Sequence, residues 1–277
     1  RRQRQMCIRD SRNPEKAENA LQRLLEVHPE ASAEILLMDM ADLASIRSAV
    51  ERDGDEPLDL LINNAGIMGT DKATTADGFE SQLGTNHLGH FALTGLLLDR
   101  LNAAPAARVV TVSSGGHRPG KIDFDDLQSE RGYNRWVAYF QSKLANLLFT
   151  YELQRRLEAA GSSTSALAAH PGGSSTELGK SRDGSGGLTA KIIAWGAPIS
   201  DRLMQSAQMG ALPTVRAAVD PEATGGQYYG PDGFLEQRGH PVVVQSSKRS
   251  HDRDVARRLW DVSEELTGVH YDFGSGG

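Results

Sequence analysis

The stretch LDLLINNAGIMG (58–69) decides the fold. Its first five residues, 58–62, are mostly apolar, and Pro57 stands before them. Asn63 and Asn64 follow directly. A short apolar run bounded by turn-forming residues is typical of a strand buried on both faces of a parallel sheet. We therefore expect an inner strand at 58–62, with a polar loop at its carboxyl end.

The same strand-and-loop pattern recurs on both sides of this stretch. Apolar runs predict strands at 34–38, 108–112, 164–169 and 242–244. Helical periodicity separates them, at 14–27, 43–52, 79–101, 135–159, 188–219 and 252–267. The alternation predicts an α/β fold: a Rossmann-like, doubly wound parallel sheet in a single domain. Between strand 164–169 and helix 188–219, residues 172–187 are rich in Gly and Ser and predict a loop, and helix 188–219 is expected to act as a lid.

Composition restricts the function. The 277 residues carry a net charge of -6, which argues against nucleic acid as a partner because phosphate binding needs a basic face. No uncharged apolar run approaches the roughly 20 residues of a membrane span. The single cysteine, Cys7, gives no sign of disulfide-stabilised secretion. A cytoplasmic enzyme acting on a small molecule, without a bound metal, is the expectation.

Tyr139 and Lys143 carry the clearest chemical signal. They are four residues apart in a predicted helix, so both side chains leave the same face. A phenol has a pKa of about 10, too high for a base near neutrality, and a neighbouring ammonium favours the phenolate. Tyr139 is therefore a candidate acid/base for a substrate hydroxyl. Taken alone, Tyr-x-x-x-Lys is a weak signal, and a surface pair is the more common interpretation of it.

Other candidates stand at predicted strand ends, where α/β sheets bind ligands. Ser114 offers a hydroxyl for a substrate oxygen, or forms only a turn. Asn86 bends its helix or holds a relay water, unless it is merely solvated. The small residues of 63–66 let backbone approach a dinucleotide, or form an ordinary turn. Asp39 accepts a hydrogen bond from an adenine amine, or caps a helix.

Taken together and in this order, the motifs resemble those of the short-chain dehydrogenase/reductase superfamily. The resemblance runs from about Arg12 to near Tyr271. It rests on LLMDMADLASIRS (36–48), LINNAGIMG (61–69), TNHLGHFALT (85–94), RVVTVSSGGH (108–117), AYFQSKLANLLFTYEL (138–153) and HPGGSSTEL (170–178). The segment KIDFDDLQ (121–128), which lengthens the interval between Ser114 and Tyr139, resembles the retinol-dehydrogenase-like branch.

The resemblance implies a set of roles. Tyr139 would be the acid/base, Lys143 its pKa modulator and a ligand of the nicotinamide ribose, and Ser114 the anchor of the substrate oxygen. Asn86 would complete a proton relay. The implied cofactor contacts are made by Arg12, Asp39, Asn63, Ala65, Gly66, Tyr139, Lys143, Pro171, Gly172 and Thr176.

The resemblance also implies cofactor and partners. Arg12 matches a position where a basic residue favours the 2′-phosphate, so NADP(H) is favoured and NAD(H) is possible. The substrate would be an alcohol or carbonyl compound, hydrophobic by analogy with the branch; Trp195, Leu203, Met204, Met209 and Leu212 of the predicted lid are compatible with an apolar ligand. A homodimer or homotetramer is expected on the same analogy.

One departure from the family pattern stands out. The glycine-rich loop that follows the family's first strand is absent, since GSGG at 184–187 has no strand before it. We therefore expect a domain at 12–271 that lacks its first βαβ unit, a non-native or disordered segment at 1–11 and a tail at 272–277. The missing unit would weaken cofactor binding. It would also leave the strands on both sides of it without a pairing neighbour.

Three alternatives remain open. The first is a non-catalytic nucleotide-sensing or scaffold protein of the same fold. The second is a truncated inactive fragment. The third is a sugar-nucleotide epimerase or dehydratase, whose sites share the Tyr/Lys pair. The short region after Gly172 argues against the last, because those enzymes need a larger C-terminal domain.

Overall fold

A computed structural model describes residues 14–173 and 205–274, and its centre is a mixed β-sheet. Within those residues the sheet has five strands in the order β1-β2-β3-β4-β5. They are β1 (Leu60–Asn63), β2 (Arg108–Val112), β3 (Ser165–Ala169), β4 (Tyr228–Pro231) and β5 (Pro241–Val243). Strands β1 to β4 run parallel, and β5 is antiparallel to β4. The predicted sheet is therefore confirmed, with one antiparallel edge strand.

Helices cover both faces of the sheet. The longer ones are α1 (Pro14–Val27), α2 (Leu43–Asp53), α6 (Arg135–Ala159), α7 (Ala207–Val219) and α8 (Arg253–Thr267). On one face, α6 and α8 pack over Val109 and Ala166. On the other, α7 packs through Ala217 on Val110 and Leu167. No helix in these two described ranges has the length and apolar character to cross a membrane.

The packing of α7 corrects part of the predicted lid. Within its described portion, the 188–219 segment forms a helix that contacts β2, β3 and β4 directly. Its small buried residues, Gly210 and Ala217, bring it close to the sheet. It is a layer of the fold, because its apolar face is already used by the core. Residues 188–204 of the predicted lid lie outside the described residues, as do 174–187 of the predicted loop.

Residues 34–38 do not form the predicted strand. No strand of the described sheet pairs with them, and β1 pairs only with β2. Side chains hold the segment instead: Arg52 donates to the Leu37 carbonyl at 3.1 Å, and the Asp39 amide donates to the Ser45 hydroxyl at 3.0 Å. Apolar composition favours burial, but a strand also needs a neighbour with which to exchange backbone hydrogen bonds.

The predicted helix at 79–101 is interrupted. It consists of α3 (Ser81–Leu83), a π-helical turn (Gly84–Leu88), α4 (Gly89–Leu96) and α5 (Leu98–Asn102). Leu97 leaves helical geometry at φ -100° and ψ 1°, so α5 starts in a new direction. An ion pair of 2.8 Å between Arg100 and Asp53 ties α5 to the end of α2. π-Helical turns occur frequently at functional sites, and this one contains Asn86.

Candidate active site

Helix α6 carries Tyr139 and Lys143 into the interior. Its first turn is capped by Asn134, whose side-chain oxygen accepts from the amides of Trp136 and Val137. Both Tyr139 and Lys143 are buried, so the reading of this pair as a solvated surface pair is wrong. The Lys143 ammonium lies 6.0 Å from the centre of the Tyr139 ring. Its hydrogen bond goes to the Val112 carbonyl at the end of β2, at 3.2 Å.

Ser114 meets Tyr139 from the end of β2. Its hydroxyl oxygen accepts from the Gly116 amide at 3.1 Å, which starts a short 3₁₀ turn at Gly115–His117. The Ser114 side chain also interacts with the Tyr139 phenol, and this interaction acts to lower the pKa of the phenol. Ser113, one residue earlier, donates to the Lys143 carbonyl at 2.7 Å and so fixes β2 against α6. The hydrogen bond of Ser113 therefore fixes the end of β2 against α6 and keeps Ser114 beside the Tyr139 side chain.

The ionisation of this pair is set by burial. Desolvation raises the pKa of Tyr139, and the interaction with Ser114 partly offsets that rise. Desolvation also lowers the pKa of Lys143 to about 8. The sequence led us to expect a phenol pKa lowered by the ammonium. In the folded chain the pKa of Tyr139 is shifted in the opposite direction, because burial removes water from the phenol.

Asn86 clamps the loop after β1. Its side-chain oxygen accepts from the Ile67 amide at 2.8 Å, and its side-chain nitrogen donates to the Ile67 carbonyl at 2.9 Å. The same nitrogen donates to the Ser142 hydroxyl at 2.9 Å. Ser142 lies on α6 between Tyr139 and Lys143. One asparagine therefore connects the π-helical turn, the loop of residues 63–67 and the helix that carries the Tyr/Lys pair.

The residues of the loop at 63–67 differ in how close they lie to the Tyr139–Lys143 pair. Asn63 turns inward and donates to the Thr94 hydroxyl at 2.9 Å, so its side chain does not face an open pocket. Gly66 lies against the catalytic groups: a Cβ there would come within 3.0 Å of the Asn86 side-chain oxygen and 3.4 Å of the Lys143 ammonium. Ala65 packs against the main apolar core. Only Gly66 of the three directly adjoins the Tyr139–Lys143 cluster.

Asp39 forms a local turn beside the β1 edge. Its carboxylate accepts from the Ala41 amide at 2.9 Å. The residue that caps α2 is Asp42, whose side chain accepts from the amides of Ala44 and Ser45. The alternative reading of Asp39 as a helix cap is therefore wrong. Arg12 and Thr176 lie outside the described residues.

Pro171 and Gly172 follow β3 at the same edge of the sheet as Ser114. The Pro171 carbonyl accepts from the Gln205 side chain at 2.7 Å. Gly172 has a φ of 64°, in the left-handed region that favours glycine, and a Cβ there would lie 2.6 Å from the Gln237 carbonyl. The backbone after β3 is thus held close to residues far along the chain.

Sequence reasoning missed three residues that shape the site. Ser142 links Asn86 to α6, and its place inside the SKLAN segment was the available signal. Gln82 accepts from the Gly69 amide at 2.7 Å and donates to the Arg135 carbonyl at 2.8 Å, which no local pattern marks. Trp136 is 43 % exposed, lies edge-on to the Tyr139 ring at 6.5 Å and packs over Gly69.

The chain has clear relatives in sequence. The family model for short chain dehydrogenases matches residues 3–185. Human retinol dehydrogenase 13 is 44 % identical over 237 residues, which cover 84 % of this chain and 68 % of the human protein. Human polyprenol dehydrogenase is 38 % identical over 265 residues, covering 93 % of this chain and 76 % of that protein. These matches assign the chain to the oxidoreductases that act on CH–OH and C=O groups.

Solved structures agree with the fold. A protein of Mycobacterium paratuberculosis, described as putative and uncharacterized, aligns with a TM-score of 0.76 and 43 % identity, covering 96 % of this chain and 85 % of that one. A carbonyl reductase from chicken fatty liver aligns with a TM-score of 0.56 over 87 % of each chain; at 20 % identity it supports the fold alone. The chain belongs to the short-chain dehydrogenase/reductase family, in its retinol-dehydrogenase-like branch.

Proposed function

We propose that the chain transfers hydride between a nicotinamide dinucleotide and a hydrophobic alcohol or carbonyl compound, with Tyr139 as the acid/base. One observation carries the proposal. The Tyr139 phenol is buried beside Ser114 at the end of β2, while the buried Lys143 lies one helical turn away with its ammonium close to Gly66. Buried titratable groups that meet at the carboxyl ends of parallel strands have the position and the perturbed pKa values of a catalytic site.

The protein side of the reaction is proton transfer at the Tyr139 oxygen. In the oxidation direction the substrate hydroxyl gives its proton to that oxygen in its phenolate form, and a nicotinamide, when bound, would supply the acceptor for the hydride of the carbon that bears the hydroxyl. In the reduction direction the phenol donates the proton to the carbonyl oxygen. Ser114 holds the same substrate oxygen through its hydroxyl, which orients the reacting carbon.

Lys143 and Asn86 support this transfer. Below its pKa of about 8 Lys143 is a cation. We assign it the role of pKa modulator of Tyr139 because the family resemblance implies that role; in the folded chain by itself, burial raises the pKa of the phenol. Asn86 keeps the loop at 63–67 and Ser142 in place through its three side-chain hydrogen bonds. We assign Asn86 to the proton relay through this position, as the family resemblance implies.

The residues present fit the nicotinamide half of a dinucleotide. The buried Lys143 ammonium has three N–H donors and gives one to Val112, so two donors are available for ribose hydroxyls. Gly66 leaves space beside that ammonium. Pro171, Gly172 and Thr176 would adjoin the nicotinamide, while Asn63 (through its backbone), Ala65 and Asp39 would meet the adenosine side. Arg12 supports NADP(H) over NAD(H).

A hydrophobic substrate is supported at the rim of the site. Trp136 and Val137, on the turn of α6 before Tyr139, are both large apolar residues with substantial exposure. Trp136 stacks on Phe140 with the ring centres 6.3 Å apart, so an apolar surface adjoins the catalytic phenol. Two relatives are named for retinol and polyprenol, and apolar alcohols of that kind would match such a surface.

The test is a matched pair of tyrosine variants in the full chain of residues 1–277. Tyr139→Phe removes the proton donor, and we expect kcat/KM with NADPH and retinaldehyde, or with NADP⁺ and retinol, to fall by about 10²–10⁴-fold. Tyr151→Phe removes a phenol three turns further along the same helix, whose hydroxyl meets Ser246 at 2.8 Å. Activity within about twofold of wild type is expected for this control, because Tyr151 touches none of the four catalytic candidates.

Two further measurements complete the test. Thermal unfolding of both variants separates lost chemistry from lost fold. NADPH titration by fluorescence checks the cofactor separately, since a non-catalytic sensor would bind NADPH without turnover. Turnover by Tyr139→Phe within about threefold of wild type would refute the acid/base assignment. NADPH binding without turnover in wild type would support the sensor alternative instead.

A further inference from the structure

The loop between β4 and β5 contains an unusual piece of backbone. Phe234–Glu236 form a short 3₁₀ turn in which Leu235 has a φ of 51° and Glu236 a φ of 56°. Left-handed geometry costs a residue with a side chain of the order of 1 kcal/mol or more. Phe234 and Leu235 are 83 % and 73 % exposed, so apolar burial does not offset that strain. Some other interaction must hold the turn.

That interaction is made by the Glu236 carboxylate. One of its oxygens accepts from the Arg118 guanidinium at 2.7 Å. The other lies 3.1 Å from Nε2 of His170, a buried ring nitrogen that has no well-aligned hydrogen-bond partner among the described residues. His170 and Arg118 both favour the ionised carboxylate. The contact with His170 lowers the pKa of Glu236 most, and Arg118 lowers it further.

The two partners of Glu236 belong to the two strand ends that build the site. Arg118 comes four residues after Ser114, and His170 comes directly before Pro171 and Gly172. His117, beside Arg118, contacts the Ser114 carbonyl through Nδ1 at 2.6 Å. Glu236 therefore joins the segment after β2 to the segment after β3, on the side of the sheet where Tyr139 lies.

Backbone contacts extend the same connection. The Gly173 amide donates to the Gln237 carbonyl at 2.8 Å. Gln205 donates from its side chain to the Pro171 carbonyl at 2.7 Å and accepts from the Gly239 amide at 3.1 Å. Residues 233–239 thus contact the segment 170–173 through the Glu236–His170 contact, a backbone hydrogen bond and a shared glutamine. We call residues 233–239 the brace.

We propose that the brace sets the position of the backbone after β3, and that Glu236 is the positioning residue through which it acts. The strained turn at Leu235 and Glu236 directs the carboxylate to His170 and Arg118 at once, which a relaxed turn with the side chain in solvent would not do. Glu236 touches none of the reacting atoms. It acts on His170, and through His170 on the position of Pro171 and Gly172. The role of these two residues beside the nicotinamide rests on the proposed function.

Hydrogen exchange at the amides of Gly172 and Gly173 tests this without any need for activity or cofactor. Glu236→Gln keeps the size of the side chain and removes its charge. We expect exchange at these amides to rise at least fivefold, while exchange in α8 and the melting temperature stay near wild type. Asp254→Asn is the matched control: it breaks an exposed ion pair with Arg257 on α8 and leaves the exchange of Gly172 and Gly173 unchanged.

Two more variants separate positioning from strain. Leu235→Gly removes the steric strain of the left-handed conformation at residue 235 and keeps the Glu236 carboxylate. Exchange at Gly172 and Gly173 should therefore stay at the wild-type level. Glu236→Asp keeps the charge on a shorter side chain, and its exchange should fall between those of wild type and Glu236→Gln. Unchanged exchange at Gly172 and Gly173 in Glu236→Gln overturns the proposal. So does a general loss of protection that includes α8, since that would mean a merely structural role.

Binding gives the functional readout. With Glu236→Gln we expect the dissociation constant for NADPH to rise about tenfold, whereas Asp254→Asn binds as wild type does. An unchanged constant, together with raised exchange, would overturn the role in cofactor placement. The two proposals fail separately: an active Tyr139→Phe variant refutes the assigned chemistry and leaves the exchange result standing.

Discussion

The two sides of the loop at residues 63–67 are built differently. On one side lies the catalytic half, made of β2, β3, α6 and the π-helical turn Gly84–Leu88. Its polar side chains form successive buried hydrogen bonds, from Ser113 to the Lys143 carbonyl and from Asn86 to Ser142. On the other side lies the β1-side edge, made of β1, α1 and residues 28–41. In the described part of that edge, the hydrogen bonds of Arg52 to the Leu37 carbonyl and of the Asp39 amide to Ser45 are exposed and part-buried, respectively.

The β1-side edge shows its weaker packing directly. Ile62 on β1 is 39 % exposed, and Leu37 is 40 % exposed. Helix α1 buries only Ala17, and a cavity of about 110 Å³ separates it from residues 33–35. Loose packing of this kind forfeits dispersion contacts and lowers local stability. Within the described residues, the proton-transfer groups therefore lie in a frame of buried hydrogen bonds, while the β1-side edge is held mainly by part-buried and exposed side-chain hydrogen bonds.

The largest expected effect compares two leucines. Leu148 on α6 is fully buried in the cluster with Leu83, Leu88 and Leu144, whereas Leu37 stands at the β1-side edge. We expect Leu148→Ala to lower the free energy of unfolding by about 2–5 kcal/mol, and Leu37→Ala by less than about 1 kcal/mol. Urea denaturation of both variants measures this. Equal losses would remove the contrast between the two regions.

Acid should weaken the catalytic half through its histidines. Burial lowers the pKa of His87 and of His90 to about 3, from an ordinary value of 6.5. The unfolded chain takes up these protons below pH 6.5 and the folded chain does not until about pH 3, so stability falls as the pH drops between these values. At pH 5 each histidine accounts for about 2 kcal/mol of that loss.

The corresponding experiment uses single substitutions. Urea denaturation of wild type, His87→Gln and His90→Gln at pH 7.5 and pH 5.0 isolates each histidine from the carboxylates that titrate in the same range. Each variant should lose about 2 kcal/mol less than wild type on acidification. If all three proteins lose the same free energy, the buried histidines do not control the acid response.

A smaller effect is expected from two serines. Ser142→Ala removes a buried hydrogen bond to Asn86, which keeps its two bonds to Ile67, so we expect a loss of about 1 kcal/mol. Ser48→Ala on α2 removes an exposed contact with Arg52 and should change the free energy of unfolding by less than about 0.5 kcal/mol. Chemical denaturation at pH 7.5 measures both. A larger loss of unfolding free energy for Ser48→Ala than for Ser142→Ala would contradict the stronger packing assigned to the catalytic half.

Local pattern predicted much of the architecture. The helices Pro14–Val27 and Arg135–Ala159 and the strand Arg108–Val112 have the bounds expected from periodicity, because hydrophobic spacing and turn residues act over a few residues. The four-residue spacing of Tyr139 and Lys143 placed both on one face of α6 for the same reason. The strand Tyr228–Pro231 was not predicted, because YYGP is short and carries Gly and Pro.

What the sequence determined by itself was therefore the order of elements and the identity of the chemical groups, since both follow from short-range geometry. The tertiary structure decided how those groups are used. It turned Asn63 inward to Thr94, left residues 34–38 without strand partners, and raised the pKa of Tyr139 by burial. It also joined Glu236 to Arg118 and His170. Those outcomes depend on contacts between residues distant in the chain and on the exclusion of water, which no local spacing encodes.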